Sequence, residues 1–467
     1  MPGFHVENFG CRAARADGEA LSGRLRAAGH ADSAQAEAEL IVVNTCSVTA
    51  EADRAARAYI RRAHRLNPEA RIIVAGCYAQ RAPDELAAIA GVSAVIGNSH
   101  TALAPEIALK FVGGTETTDK MPVAGFVPTH SLLSGAVPIW ADDRFAHSFI
   151  EEAPLAGEHQ TRPNLKIQEG CANRCTFCVI PQTRGPSRSL GREEILRQID
   201  AFVASGGKEL VLSGINLGRW GRDLAAGPSQ PRPTLAALVR EILQRTSLPR
   251  LRLSSIEPMD WDQELVALMH EYGGSRLARH AHLPLQSGSD AVLRRMHRRY
   301  RPWHYAEKVA ALIAAAGPDL TLGADVIIGF PGETDAEFEE TLAFIRELPF
   351  GYLHLFPFSP RPGTPGWQLY ASSPVPARVI QDRISALRAL AAEKMRAHRE
   401  RFVGRKISAI TLHTPEALVA KKHTAALTEN FLPVELEGCL AANRLVQVQP
   451  MSLKDDGTLF CAAQNAA

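Results

Sequence analysis

The stretch Cys171-Ala172-Asn173-Arg174-Cys175-Thr176-Phe177-Cys178 sets three thiols at gaps of three and two residues, directly after Glu169-Gly170. A cubic 4Fe–4S cluster takes one ligand per iron, so three thiolates leave one iron open to bind something else. Structural zinc takes four ligands, often as two separated pairs, and three thiols cannot all pair with one another as disulfides. Ligand count and spacing favour an iron–sulfur site at Cys171, Cys175 and Cys178.

Three more cysteines stand singly, each one to three residues beyond a short apolar run: Cys11 after Phe4–Phe9, Cys46 after Leu40–Val43 and Cys77 after Ile72–Ala75. With Ala94–Ile96, these runs alternate with Ala-, Glu- and Arg-rich helical stretches, which predicts a parallel α/β sheet over residues 1–112. Strand carboxyl ends share one edge of such a sheet, so Cys11, Cys46 and Cys77 are expected to converge as a second three-thiolate cluster. The competing reading is three unrelated buried cysteines. Gly10, Asn44-Thr45 and Gly76, each just before a cysteine, suit tight loops. Cys439 and Cys461 stand alone and read as non-ligands.

These sites need a large scaffold. The chain has 467 residues, 46% hydrophobic and 22% charged, and a prior of about 150 residues per domain suggests three domains. No stretch approaches the roughly 20 apolar residues of a membrane span, and the amino-terminal residues do not read as a secretion signal, so a cytoplasmic protein without membrane association is expected. In that setting eight cysteines read as metal ligands or free thiols. A net charge of +2 leaves nucleic-acid affinity to local basic patches.

Residues 113–160 lack periodicity and read as a connector. Across 161–390 the alternation returns, with strands expected at Leu165–Gln168, Glu209–Leu212, Leu251–Ser254, His280–Leu283, Thr321–Ile328 and Tyr352–Phe356. Six strand–helix units predict an incomplete (βα)6 barrel. Ser213-Gly214-Ile215-Asn216, Gln286-Ser287-Gly288-Ser289 and Gly329-Phe330-Pro331-Gly332-Glu333 then fall at strand carboxyl ends, the last as part of an adenosine pocket. A long helix is expected over Ala377–Phe402. Short strand-like runs within 400–467 predict a small antiparallel barrel of the oligonucleotide-binding sort. Arg54, Arg57, Arg61, Arg62 and Arg65 lie along one helix face, readable as a solvated face or a phosphate contact. The run Arg294, Arg295, His297, Arg298, Arg299 and Arg301, with Tyr300 and Trp303, suits phosphate contact and stacking on unpaired bases.

The C-x3-C-x2-C spacing with Phe177 before the last cysteine resembles the signature of the radical S-adenosylmethionine (SAM) enzymes. Further segments resemble the methylthiotransferase family within that superfamily: Asn44-Thr45-Cys46-Ser47-Val48-Thr49, Gly76-Cys77-Tyr78-Ala79-Gln80, Arg184-Gly185-Pro186-Ser187-Arg188-Ser189, Leu253-Ser254-Ser255-Ile256-Glu257-Pro258 and Leu283-Pro284-Leu285-Gln286-Ser287-Gly288-Ser289-Asp290. The resemblance covers nearly the whole chain, and Gly76–Gln80 with Ser254–Pro258 look most like the branch acting on threonylcarbamoyladenosine at position 37 of tRNA. It implies two 4Fe–4S clusters, one on Cys171, Cys175 and Cys178 that cleaves SAM to a deoxyadenosyl radical and one on Cys11, Cys46 and Cys77 that carries sulfur. It implies a SAM pocket drawing on Phe177, Ser213, Gly214, Ser255, Glu257, Gln286 and Gly329, and a terminal RNA-binding TRAM domain. One SAM would supply the methyl group and another the radical that removes hydrogen from C2 of adenine. Partners implied are the tRNA anticodon loop, an electron donor such as flavodoxin or ferredoxin, and a sulfur source. Isopentenyladenosine in tRNA and a ribosomal-protein aspartate are the neighbouring substrates, and a non-catalytic iron–sulfur RNA-binding protein is the alternative of another class. One departure stands out: the family usually has Asn three residues after its first cysteine, and a hydroxyl residue between two acids further on. Here those positions are Ala14 and Gly18, between Asp17 and Glu19, which puts the support of the Cys11 loop in question.

Overall fold

A computed structural model describes residues 3–111, 136–147, 155, 161–225 and 232–462. Most of the expected connector, 113–160, lies outside the described residues. The chain divides into two compact units, one of residues 1–155, 168–173 and 178–190, the other of 156–167, 174–177 and 191–467.

The first unit is built on a parallel sheet of β1 (Gly3–Asn8), β2 (Ala31–Asp32), β3 (Leu40–Thr45), β4 (Arg71–Gly76), β5 (Val92–Gly97) and β6 (Ile139–Trp140), in the order β2-β1-β3-β4-β5-β6. Helices cover both faces, so central strands read as unbroken apolar runs. In β3, Ile41 and Val43 pack into one core with Ile60, Ile72 and Leu86. Leu40 and Val42 enter the opposite core with Leu25, Ile73 and Ile96. Each such side chain removed from water contributes about 1.5–3 kcal/mol, and the strand register follows. Asn8 stands level with Asn44, Asn44 with Ala75, and Thr45 with Gly76. Thr49 then caps the helix Ala50–Leu66, its Oγ1 accepting from the Ala52 N–H at 3.2 Å.

The second unit holds the barrel strands. The segment β7 (Asn164–Glu169) begins there, and its last two residues pair with β8 (Arg188–Ser189) in the first unit. Beside β7 stand β9 (Glu209–Gly214) and then β10 (Arg250–Leu253). A second parallel sheet contains β11 (His280–His282), β12 (Thr321–Ile328) and β13 (Phe350–Pro357). Six main strands match the expected count, arranged as two sheets. On β12 Leu322, Ala324, Val326 and Ile328 are buried while Asp325 and Ile327 are only partly so, separating a packed face from a more open one.

The carboxyl-terminal part of this unit is a sheet of β14 (Ile407–Thr411), β15 (His423–Thr428), β16 (Pro433–Glu437), β17 (Leu445–Val448), β18 (Ser452–Leu453) and β19 (Leu459–Cys461). Its pairings are antiparallel except β16 with β19. Cys461 packs in its apolar core and Cys439 is exposed. The sheet is fastened to the start of the barrel strands. Glu209 takes Arg162 at 2.7 Å, Arg252 at 2.8 Å and Arg250 at 3.1 Å, and Arg252 Nη2 reaches the Thr428 carbonyl at 3.2 Å. Phe431 lies over His280 with ring centres 4.4 Å apart. No helix among the described residues is long and apolar enough to cross a membrane.

Candidate metal centres

Strands β1, β3 and β4 are immediate neighbours, and Cys11, Cys46 and Cys77 follow their carboxyl ends. Cys46 and Cys77 are buried and Cys11 is exposed. A Cβ on Gly10, whose φ is +104°, would stand 2.5 Å from Cys46 Sγ, so only glycine lets the Cys11 loop come this close. Burial, reinforced by the Cys11 and Cys77 thiols, pushes Cys46 up to about 12. Buried thiols whose thiol neighbours raise their proton affinity, as at Cys46 and Cys77, favour a cation among them, because a coordinated thiol gives up its proton. The residues fit an iron–sulfur cluster on these grounds.

Cys77 receives two charged or polar N–H groups: Arg184 Nε at 3.2 Å and Asn98 Nδ2 at 3.2 Å. Arg184 is 1% exposed. Its Nη1 contacts both Glu169 oxygens at 2.9 Å and its Nη2 reaches Asp17 at 3.1 Å. Burial works against its charge, but Cys77, Glu169 and Asp17 hold the guanidinium well above its ordinary value. Glu169 and Arg184 flank the Cys171–Cys178 segment in sequence. In the sequence Arg184 stands out only as part of the Arg184–Ser189 motif, with nothing to mark it as a thiol partner.

The Ala14 departure is met by the backbone. Asn44 donates to the Ala14 carbonyl and, at 3.1 Å, to Asn8 Oδ1. A Cβ on Gly18 would fall 1.8 Å from Asn8 Oδ1, so the missing side chain at 18 makes room for Asn8.

Within the first unit the Cys171 N–H donates to the Gly185 carbonyl at 3.0 Å, and the Asn173 N–H points at Cys171 Sγ at 3.4 Å. Gly170 has φ +69°, and a Cβ there would stand 2.0 Å from the Pro186 carbonyl. Cys178 is half-buried and is grouped with this unit, whereas Cys175 and Phe177 are grouped with the second.

Arg298 Nη1 lies 3.3 Å from Cys175 Sγ, and its Nη2 holds Glu257 at 2.8 Å. Arg298 is buried, and Tyr300 beside it is buried with its hydroxyl between the Pro284 and Leu285 carbonyls. This takes Arg298 and Tyr300 out of the expected RNA-contacting run 294–303, whose Arg294, His297, Arg299 and Trp303 are exposed. Arg294 and Arg301 pair with Asp290, Arg295 with Glu337 and Arg299 with Asp260, leaving Trp303 as the exposed aromatic. On the helix Ala50–Leu66, Arg54, Arg61, Arg62 and Arg65 are exposed, while Arg57 turns to Tyr78 and Glu85.

The other cofactor candidates lie at or near barrel strand ends in the second unit. The hydroxyl oxygens of Ser213 and Ser254 are buried without a hydrogen-bond partner among the described residues, and buried hydroxyls of that kind suit a polar ligand. Gly214 and Ser255 are half-buried. Phe177 packs on Val292, Met296, Phe330 and Phe358. Gln286 has φ +64° and pairs with Val326. Gly329 has φ +73°, and its N–H is taken by Glu333 at 2.8 Å. Sequence reasoning missed Arg298 as a thiol partner and the group His282, Asp325 and His354, whose members lie on three different strands.

The radical SAM superfamily model matches residues 165–345, and that of "Uncharacterized protein family UPF0004" matches 3–97. The chain is 33% identical to threonylcarbamoyladenosine tRNA methylthiotransferase MtaB of Aquifex aeolicus over 95% of this chain and 98% of that protein. It is 34% identical to tRNA-2-methylthio-N(6)-dimethylallyladenosine synthase of Sorangium cellulosum, covering 86% and 80%. Among solved structures, the radical SAM methyltransferase TsrM of Kitasatospora setae is similar in fold, with TM-score 0.56, 16% identity, and 78% and 77% covered. The chain belongs to the radical SAM tRNA methylthiotransferase family, which works with SAM and 4Fe–4S clusters.

Proposed function

We propose that this chain inserts a methylthio group at C2 of N6-threonylcarbamoyladenosine at position 37 of tRNA. The observation that supports this most is the gathering of Cys11, Cys46 and Cys77 at three adjacent strand ends, as a thiol set separate from Cys171–Cys178. Sulfur insertion needs a radical source and a sulfur carrier, and two three-thiol sets suit that division. In this reading Cys171, Cys175 and Cys178 hold the cluster that meets SAM, and Cys11, Cys46 and Cys77 hold the second. When bound, SAM and the first cluster supply the radical chemistry that an inert aromatic C–H bond demands.

The chain's own residues bind and orient. Arg298 donates to Cys175 while neutralising Glu257, and Arg184 does the same for Cys77 with Glu169 and Asp17. Ser213, Gly214, Ser255, Gln286 and Gly329 offer hydroxyl, amide and backbone groups to SAM, and Phe177 closes the apolar side. Residues 1–112, 161–390 and 400–467 act as cluster, barrel and TRAM domains joined by the 113–160 connector. The exposed Arg54, Arg61, Arg62 and Arg65 take tRNA phosphates. A flavodoxin or ferredoxin supplies electrons in the cytoplasm, and a separate donor supplies sulfur.

Relatives named for threonylcarbamoyladenosine support this substrate. A second reading, dimethylallyladenosine, has the Sorangium relative in its favour. Reconstituted, reduced protein given SAM, sulfide and tRNAs carrying one or the other nucleoside decides between them. Methylthiolation confined to the threonylcarbamoyl tRNA is expected, and modification of the dimethylallyl tRNA alone overturns the assignment.

A further inference from the structure

We propose that His282, Asp325 and His354 form a binding site for a divalent first-row metal ion, using none of the six cluster cysteines. The three residues stand on the neighbouring strands β11, β12 and β13. In the parallel register His282 is level with Gly323 and Asp325 with His354, so all three project from one face of the sheet.

The spacing is that of a ligand set. His282 Nε2 lies 3.1 Å from Asp325 Oδ2 and His354 Nδ1 lies 3.2 Å from Asp325 Oδ1. One donor atom from each residue falls within 4.8 Å of the other two. Nitrogen and oxygen ligands sit about 2.0–2.2 Å from such an ion. At octahedral or tetrahedral angles their mutual separations are then about 3.0–3.5 Å, and each His–Asp separation, one to each carboxylate oxygen, falls in that range.

The rings are held in place by a second layer. The Tyr352 hydroxyl lies 2.9 Å from His282 Nδ1, which fixes the imidazole so that Nε2 turns toward the carboxylate, as the outer partner of a metal-bound histidine does. The same hydroxyl reaches His280 Nε2 at 2.8 Å. Gly323 lets Tyr352 lean this far, since a Cβ there would stand 2.0 Å from its ring. His282 is 3% exposed, yet among the described residues its Nε2 is not aligned for a hydrogen bond with any group, although Asp325 Oδ2 is so near. A metal ion between that ring nitrogen and the carboxylate satisfies both.

The donor set is two imidazoles and one carboxylate, a combination that suits iron(II), manganese(II) or zinc(II) and leaves coordination positions open. His354 is half exposed, so an ion held there is within reach of an oxygen ligand from outside.

The probe is manganese(II), which thiolates hold poorly. Protein with both clusters reconstituted is titrated with MnCl2 and followed by electron paramagnetic resonance of the free ion. One manganese per chain is expected, with affinity reduced about tenfold or more by His354→Gln and by Asp325→Asn. Iron content and circular dichroism report whether each variant has folded. Pulsed resonance on the unmutated protein needs no variant and is expected to show nitrogen coupling from imidazole. Binding without nitrogen coupling, binding indifferent to both substitutions, or no binding overturns the proposal and leaves a plain His–Asp–His ion-pair cluster.

Discussion

Arg184 Nε stands 3.2 Å from Cys77 Sγ while the same guanidinium spans Glu169 and Asp17. A residue only six positions beyond one cysteine triplet is thereby the hydrogen-bond donor to a member of the other. Arg184 is nearly fully buried, so its removal leaves two buried carboxylates without a counter-charge. Arg184→Gln is expected to cost roughly 3–5 kcal/mol. Losing an N–H donor and a positive charge beside the sulfur also disfavours added electrons, so the potential of the cluster on Cys77 moves lower. A redox titration read by electron paramagnetic resonance checks this; an unchanged potential at full iron content contradicts it.

Arg298 offers the parallel test in the second unit. Arg298→Gln should abolish deoxyadenosine release, because Cys175 and Glu257 lose their shared partner. Its effect on tRNA affinity should stay within about twofold, since a buried side chain takes no phosphate. A large loss of tRNA binding with SAM cleavage intact would return Arg298 to the RNA-contacting run.

Replacing Cys171, Cys175 and Cys178 together by Ala should leave one cluster's iron and no SAM cleavage. Replacing Cys11, Cys46 and Cys77 should also leave one cluster's iron but preserve SAM cleavage. Iron and sulfide counting with chromatographic detection of deoxyadenosine distinguishes the two. Full iron retention in the second variant would refute convergence of the three strand-end thiols.

Glu209 gives the barrel base a pH signature. Burial opposes its charge, but Arg252, Arg162 and Arg250 hold its carboxyl down to about 2 against an ordinary 4.5. A carboxyl lowered by folding stabilises the protein above the unfolded value and loses that contribution as pH falls toward the folded one. The window therefore runs from pH 4.5 down to about 2, and at about 1.4 kcal/mol per pH unit the full contribution is roughly 3 kcal/mol. Urea unfolding of cluster-free protein should show a shallower acid slope for Glu209→Gln than for the unmutated chain. Equal slopes would contradict the assignment.

Local chemistry made much of the molecule legible. In the first unit β3, β4 and β5 were readable because they are short apolar runs buried on both faces, whereas the two-residue β2 and β6 left no such signal; three cysteines follow the ends of β1, β3 and β4. The barrel strand Thr321–Ile328 was read to the residue. Strands β15, β18 and β19 were not anticipated: β15, His423–Thr428, mixes small and polar residues, and the other two have two and three residues. Within the basic run at 294–301, composition could not say which members point inward. Arg298 and Tyr300 are buried by their places after the helix Asp290–Arg295. The His282, Asp325 and His354 group had no signature in sequence, since only pairing of β11, β12 and β13 brings its members level.

The most direct test of the account as a whole is mass spectrometry of tRNA nucleosides from cells with and without the gene. Deletion is expected to abolish 2-methylthio-N6-threonylcarbamoyladenosine and to accumulate its unthiolated precursor, with recovery by the intact gene but not by a Cys77→Ala copy. Unchanged methylthio-threonylcarbamoyladenosine in the deletion strain would contradict it.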